Sequence, residues 1–202
     1  LTTSGGSISF DSNITLSTAI AGALVSIATT GSASTGAIVS LQGITGSSND
    51  LRLDSGKGAV TVAGSVVGID ELQLQSAAII STGTISFQST VSANTLTTYA
   101  QPYAISFLGD TTVQQATNLT NTGLATLGDG NDDDLTFVAG LVHTSGATTV
   151  GGNISTSNAA LSLDTATILE SVLINTGTAA STFNTLILAD GINLLVTSGA
   201  AD

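Results

Sequence analysis

The sequence predicts an all-β protein, and within that class a right-handed parallel β-helix (a β-solenoid). Short apolar–polar alternations recur along the whole 202-residue chain, and each is bounded by Gly, Asn, Asp or Ser. The residues that usually fill exposed helix faces (Glu, Lys, Arg and Met) are nearly absent. Strand-like segments begin roughly every 16 to 27 residues, near the lower end of the spacing of solenoid repeats.

The alternating segments have a period of two, which places every second side chain on one buried face. Similar strand starts are expected near Thr95, Asn118 and Asp134. The segments, in chain order, are 7–10, 13–16, 50–54, 59–62, 71–75, 84–87, 135–137, 161–163 and 186–188.

One segment, 165–175, has a spacing compatible with a helix. Its β-branched residues, among them Ile168, Val172 and Ile174, favour strands here too. We therefore expect strands in this segment.

An antiparallel β-sandwich is the alternative architecture. It requires tight hairpin turns, and the only dipeptides typical of such turns are Asp129–Gly130 and Asp190–Gly191. Corners rich in Ser, Thr, Asn and Gly, together with a single Pro, favour the solenoid. About nine coils spaced about 4.8 Å apart would make a rod near 43 Å long.

Composition excludes several classes of function. The only basic residues are Arg52 and Lys57 and the net charge is −12, which argues against nucleic acid and anionic membrane surfaces as partners. The longest apolar stretch, 19–28, is interrupted by Gly22 and Ser26 and is too short to span a bilayer. The absence of Cys excludes disulfides, thiolate metal sites and a Cys nucleophile.

We expect residues 1–202 to form one β-solenoid domain, as a fragment or repeat unit of a longer surface protein. The last residues, 193–202, and the first, 1–10, would continue the same strand-and-corner pattern if they were joined. Because neither end shows a polar capping element, we expect self-association end to end through open solenoid edges.

Two blocks of the chain, 50–64 (DLRLDSGKGAVTVAG) and 118–164, resemble the strand-rich repeats of large secreted bacterial surface proteins of the filamentous haemagglutinin-like kind. The likeness lies in repeat style over most of the chain. It implies a parallel β-helix shaft exported to the cell surface, with a role in adhesion, a sheath or a matrix, and with surface glycans as candidate partners. It implies no catalytic residues.

The segment 128–134 is the one cluster with metal-binding chemistry, because its oxygen ligands suit Ca²⁺. It resembles the calcium-binding nonapeptide repeat of RTX proteins, G-G-x-G-x-D-x-U-x. It differs in that Leu127 occupies the position of the first Gly, and Leu135 lies one residue after the position of the large hydrophobic residue. The alternative is a solvated acidic turn before a strand. The candidate ligands are Asp129, Asn131, Asp132, Asp133 and Asp134.

No catalytic residues are expected. Asp70 and Glu71 are adjacent on a strand, so their side chains point to opposite faces and predict a charged corner. His143, the only histidine, is expected at the surface or a corner, since the chain has no G-x-S-x-G motif for a nucleophile. The second functional reading is a polysaccharide-binding or polysaccharide-active β-helix, with Tyr99 and Tyr103 as a small aromatic platform.

Overall fold

The computed structural model describes residues 1–18, 22–33 and 35–198. Among these residues, strands account for 54% and helix for 1%, a single 3₁₀ turn at Gly31–Ala33. The strands are β1 (Ile8–Phe10), β2 (Ile14–Thr15), β3 (Leu24–Ala28), β4 (Val39–Leu41), β5 (Ile44–Asp54), β6 (Val60–Val62), β7 (Val66–Leu74), β8 (Thr84–Phe87), β9 (Val91–Thr98), β10 (Ala104–Phe107), β11 (Thr111–Val113), β12 (Thr117–Asn118), β13 (Ala125–Leu127), β14 (Asp134–Phe137), β15 (Leu141–Val150), β16 (Asn153–Ser155), β17 (Leu161–Ile168), β18 (Val172–Asn175), β19 (Ser181–Leu188) and β20 (Leu194–Thr197).

The strands form a parallel β-solenoid of about eight turns, which confirms the predicted fold class. Each strand pairs with the strand at the same position one turn later, and every pairing between the strands named above is parallel. The antiparallel sandwich is therefore excluded. About eight turns spaced about 4.8 Å apart make a rod of about 38 Å, slightly shorter than expected.

Each turn contributes to three columns of stacked strands. Column A contains β1, β4, β6, β8, β10, β13 and the second halves of β15, β17 and β19. Column B contains β2, the first parts of β5, β7 and β9, and then β11, β14, β16, β18 and β20. Column C contains β3, the second parts of β5, β7 and β9, then β12 and the first halves of β15, β17 and β19.

The interior is made of aliphatic and aromatic stacks, because the alternation turns every second side chain inward. In column A, Val62, Phe87, Phe107 and Leu127 follow one another in register and are fully buried. The rings of Phe87 and Phe107 stack with centroids 5.3 Å apart and planes 5° from parallel. This separation is close to the spacing of adjacent strands, so the ring stack and the backbone ladder share one repeat.

The outer face of column A is a continuous file of hydroxyl side chains. It explains the high Ser and Thr content as polar cover over a half-buried sheet. The file, in register from turn to turn, is Ser9, Ser40, Thr61, Ser86, Ser106, Thr126, Thr149 and Thr167.

The corners between columns vary in length, which is why the sequence shows no fixed period. The turn from Ile8 to Val39 spans 31 residues, whereas the turn from Thr148 to Ala166 spans 18. The segment 165–175, whose spacing is compatible with a helix, instead belongs to β17 and β18, as its β-branched residues predicted.

Candidate functional sites

The acidic turn lies at the corner between columns A and B, where β13 leads into β14. Its first residue, Gly128, has φ +77°, and a Cβ there would come within 2.4 Å of the backbone nitrogen of Gly152 in the next turn. The carboxylate of Asp133 then closes the loop: its Oδ2 accepts hydrogen bonds from the backbone N–H groups of Asp129 (2.9 Å) and Gly130 (3.1 Å). This carboxylate therefore faces its own backbone.

Asp134 and the backbone of the turn are bonded to residues of neighbouring turns. Asp134 accepts a hydrogen bond on Oδ1 from Asn153 Nδ2 at 3.2 Å, and its own N–H donates to Asp110 Oδ1 at 3.0 Å. Asn153 also donates to the backbone oxygen of Asn131 at 3.0 Å. The loop is thus tied by hydrogen bonds to the turns on both sides of it.

The calcium site at this loop stays a prediction. Within residues 1–18, 22–33 and 35–198, no three His, Cys, Asp or Glu side chains converge as a metal-binding group. Partial desolvation, and after it the charge of Asp133, raises the pKa of Asp129. The carboxylates of the turn therefore repel one another, and a bound cation would relieve that repulsion.

Asp70 and Glu71 do not form a pair. Asp70 accepts a hydrogen bond from Asn94 Nδ2 at 2.9 Å. Glu71 accepts from Thr97 Oγ1 at 2.5 Å and from Gln73 Nε2 at 2.8 Å. Both carboxylates lie on the outer surface, because the register of β7 shifts between Ile69 and Leu72, so the expectation that they point to opposite faces is wrong.

His143 is fully buried, so the expected surface position is wrong, although the residue does lie at a corner, where β15 passes from column C to column A. It points inward from β15, where Leu163 is its partner one turn later. Nδ1 lies 2.8 Å from Thr148 Oγ1 and Nε2 lies 3.1 Å from the backbone oxygen of Asn121. Since a carbonyl can only accept, the network assigns the proton to Nε2, and Nδ1 accepts from the Thr148 hydroxyl.

The environment of His143 favours a neutral ring. Burial lowers its pKa, and the backbone contact with Asn121 and the charge of Asp164 oppose that shift only in part. His143 shares this polar pocket with Asn121, whose Nδ2 donates to the backbone oxygens of Tyr103 (3.2 Å) and Gly123 (3.1 Å). We assign the histidine a structural role, as the hydrogen-bonded core of one corner.

The aromatic platform of Tyr99 and Tyr103 does not exist. Tyr103 is fully buried, its hydroxyl donates to the backbone oxygen of Leu74 at 3.0 Å, and it accepts from the N–H of Tyr99 at 2.9 Å. Burial raises the pKa of Tyr103 to about 12. Pro102, the only proline of the chain, immediately precedes Tyr103 at a corner of the solenoid. The Tyr103 side chain points into the interior at that corner.

The last turn exposes side chains whose register partners in the preceding turn are buried. Leu188 continues the register of Ile168, yet Leu188 is 45% exposed while Ile168 is fully buried. Leu186 and Val196 are exposed in the same way, at 40% and 38%. No described residue covers β19 and β20, so this face combines an apolar stack with a free strand edge.

A groove on column C is the feature that sequence reasoning missed. It has a volume of about 220 Å³ and is lined by Arg52 and Asp54 of β5, by Ser26 of β3 and by Ser76 and Ile79 after β7. Arg52 and Asp54 are two residues apart on one strand, which could have placed them on the same outer face. The groove residues of the other two turns, such as Ser26 and Ser76, can be placed beside Arg52 only when the strand register is known, and the sequence alone does not give that register.

Comparison with known proteins adds no relative: no family model, no curated protein and no solved structure matches this chain. Among the described residues, no helix has the length and apolar character needed to cross a membrane.

Proposed function

We propose that this chain is a structural and adhesive β-solenoid unit of an extracellular fibre, sheath or matrix, in which copies join end to end. One observation carries the proposal. The uncovered face of β19 and β20 presents Leu186, Leu188 and Val196 in the register of a core that continues. A further turn with the same three columns would bury these side chains and pair the free strand edges.

The opposite end of the stack also presents a partly exposed side chain of the core register. In β1, Phe10 is in register with the buried Leu41 of the next turn, but is itself 38% exposed. Continuing the internal register across two copies would place Ile8 of one against Leu186 of the other, and Phe10 against Leu188. Two different surfaces then meet, so the contact is head to tail and propagates as a filament instead of closing as a two-fold dimer.

Charge sets the conditions for this assembly. With a net charge of −12, two copies repel each other at long range, and salt screens that repulsion while leaving the apolar contact intact. Association should therefore strengthen with ionic strength. In the same way, Ca²⁺ at the acidic turn of residues 128–134 would reduce the net charge of each unit.

A location at the cell surface is supported by the resemblance of the repeats to those of secreted bacterial adhesins. It also agrees with a side wall made of hydroxyl side chains and with only two basic residues, which leaves few sites for trypsin-like proteases. Under this proposal the protein acts mechanically. Hydrogen bonds between turns carry load along the axis, and no residue is given a catalytic role.

Sedimentation velocity over a dilution series tests the proposal. The wild-type chain should give a ladder of oligomers that shortens on dilution, and Leu188→Lys should remove it by placing a charge in the end contact. Leu124→Lys is the matched control, because Leu124 is 42% exposed on the side of the rod. A monomer at every concentration, or equal loss in both variants, would contradict end-to-end assembly.

The calcium contribution is tested in the same experiment. Adding Ca²⁺ should lengthen the ladder in the wild type, and Asp132→Asn together with Asp134→Asn should abolish that response. An identical response in the double variant would assign the effect to general charge screening and refute the calcium site.

Polysaccharide binding is a second candidate function, favoured by the groove at Arg52 and Asp54.

A further inference from the structure

The groove beside Arg52 lies on the outer side of column C, over the first three turns. Ser26 and Thr30 come from the first turn, Arg52 and Asp54 from β5 in the second, and Ser76 and Ile79 from the segment that follows β7. Three successive turns thus build one depression, with hydroxyl groups at its rim and one apolar side chain beside them. Its volume of about 220 Å³ is below the roughly 300–1,000 Å³ of pockets that hold drug-sized molecules, and suits a ligand of one ring.

Asp54 supplies a carboxylate that the protein leaves half satisfied. The residue is 4% exposed, and Oδ1 accepts one long hydrogen bond, 3.3 Å, from the N–H of Gly56. Oδ2 has no partner among the described residues. The one fully sealed side-chain atom without a partner in that part of the chain is Asn121 Oδ1, so Oδ2 of Asp54 retains access to the groove.

Arg52 supplies the matching donors. It shares the outer face of β5 with Asp54, and Nε donates to Ser26 Oγ at 3.3 Å. The two terminal nitrogens make no hydrogen bond or ion pair with any described residue, and Asp54 is not their partner. A partly exposed guanidinium with free donors and a nearly buried carboxylate with a free acceptor therefore line the same groove, where one ligand can bond to both.

The charges around the groove decide the class of ligand. Arg52 and Asp54 are the only charged side chains among the described residues that line the groove. One guanidinium is thus balanced by one carboxylate, so the side chains of the lining carry no net charge and select for neither an acidic nor a basic ligand. Neighbouring sugar hydroxyls can accept from Arg52 and donate to Asp54, and the hydroxyls of Ser26, Thr30 and Ser76 can bond to the remaining ones.

We propose that the groove between Arg52 and Asp54 binds a neutral sugar ring, as a single residue or as one unit of a glycan. Arg52 donates to a ring hydroxyl, Asp54 Oδ2 accepts from a second hydroxyl, and Ile79 contacts the C–H face of the ring. The proposal does not depend on end-to-end assembly. A failure here leaves the sedimentation experiment unaffected, and the reverse also holds.

Amide-resolved NMR titration with neutral methyl glycosides (glucoside, galactoside and mannoside) tests the proposal. We expect at least one of them to shift the amides of Ser26, Asp54 and Ser76, with affinity in the millimolar range typical of single rings. Arg52→Gln and Asp54→Asn should each weaken binding at least tenfold. Lys57→Gln removes the other basic side chain of the protein, which does not line the groove. This variant should bind the glycosides as the wild type does.

Three results would overturn the inference. The first is no shift at these amides with any neutral glycoside up to about 50 mM, well above the dissociation constant that a specific ring should show. The second is that methyl glucuronide binds more tightly than every neutral glycoside and that its binding is weakened by Arg52→Gln but not by Asp54→Asn. The third is tighter binding of alanine, whose ammonium and carboxylate would also bridge the pair. Asp54→Asn is first checked by circular dichroism, and Arg52→Lys, which keeps the charge and removes the planar fork, should reproduce the loss.

Discussion

Replacing His143 by Leu tests whether the buried polar corner is a hydrogen-bonded unit. The substitution is close in volume and continues the apolar stack with Leu163. It also removes the partners of two groups, the Thr148 hydroxyl at 2.8 Å and the Asn121 carbonyl at 3.1 Å. A buried polar group left without a partner costs about 1–3 kcal/mol. We therefore expect the free energy of unfolding to fall by about 2–4 kcal/mol, since either group can recover part of the loss by reorienting.

A double-mutant cycle separates this cause from loss of packing. Thr148→Val alone leaves His143 Nδ1 without a donor and should cost about 1–3 kcal/mol. Once the imidazole is gone the hydroxyl has no role, so His143→Leu with Thr148→Val should cost less than the sum by about 1–2 kcal/mol. Ala125 and Ala166, the register partners of Thr148, leave an apolar surrounding that accepts the Val methyl group.

Urea unfolding followed by circular dichroism at pH 7.5 measures the cycle, with comparison restricted to variants of equal slope. Thr144→Val, at an exposed position of the same strand, is the control and should change stability by less than about 0.5 kcal/mol. Additive losses in the double variant would refute the reasoning, because they would show that His143 and Thr148 contribute independently.

Three further outcomes are expected. Burial lowers the pKa of His143, so the unfolded chain binds a proton first as the solution is acidified, and stability should fall as the pH drops from about 7 to 5; His143→Leu should flatten that fall in urea midpoints measured against pH. Phe107→Ala empties half of the ring stack with Phe87 and should cost about 3–5 kcal/mol by urea unfolding, whereas Ser106→Ala on the outer face should cost almost nothing. Asp133→Ala removes the acceptor of two backbone N–H groups and should speed hydrogen exchange at Asp129 and Gly130 manyfold, whereas unchanged exchange would show that the loop is held by other contacts.

The fold was largely readable from the sequence because period-two alternation and the lack of helix-forming residues both act locally. The segments around Asp50–Asp54, Thr84–Phe87 and Leu161–Leu163 all lie in strands, within β5, β8 and β17. The spacing between repeats varies along the sequence, and the sequence alone did not show why. Corner length varies from turn to turn without disturbing the register, so no single repeat length exists.

The sites were harder to predict because they depend on register between turns. His143 is polar, and only its alignment with Leu163 and its contact with Asn121, 22 residues away, show that its place is in the core. Tyr103 looked like half of a surface platform until its hydroxyl proved to be bonded to Leu74, 29 residues away. The groove at Arg52 requires three turns together, so neither composition nor spacing could reveal it.

The central claim is that the three columns continue from one copy of the chain into the next. The chain contains no Cys, so single cysteines can report the contact without interference. Continuing the register of Ser9 with Ser40 and of Thr167 with Ile187 would place Ser9 of one copy opposite Ile187 of another. Adjacent strands are about 4.8 Å apart, within the Cα separation that a disulfide spans.

Oxidation of mixed single-cysteine variants is therefore the most direct measurement. A mixture of Ser9→Cys and Ile187→Cys should give a disulfide-linked dimer, and each variant alone should give little. Ser86→Cys, in the same file but in the middle of the rod, should not link to either. Equal linkage within one variant alone, or no linkage in the mixture under conditions where the chains associate, would contradict head-to-tail continuation of the columns.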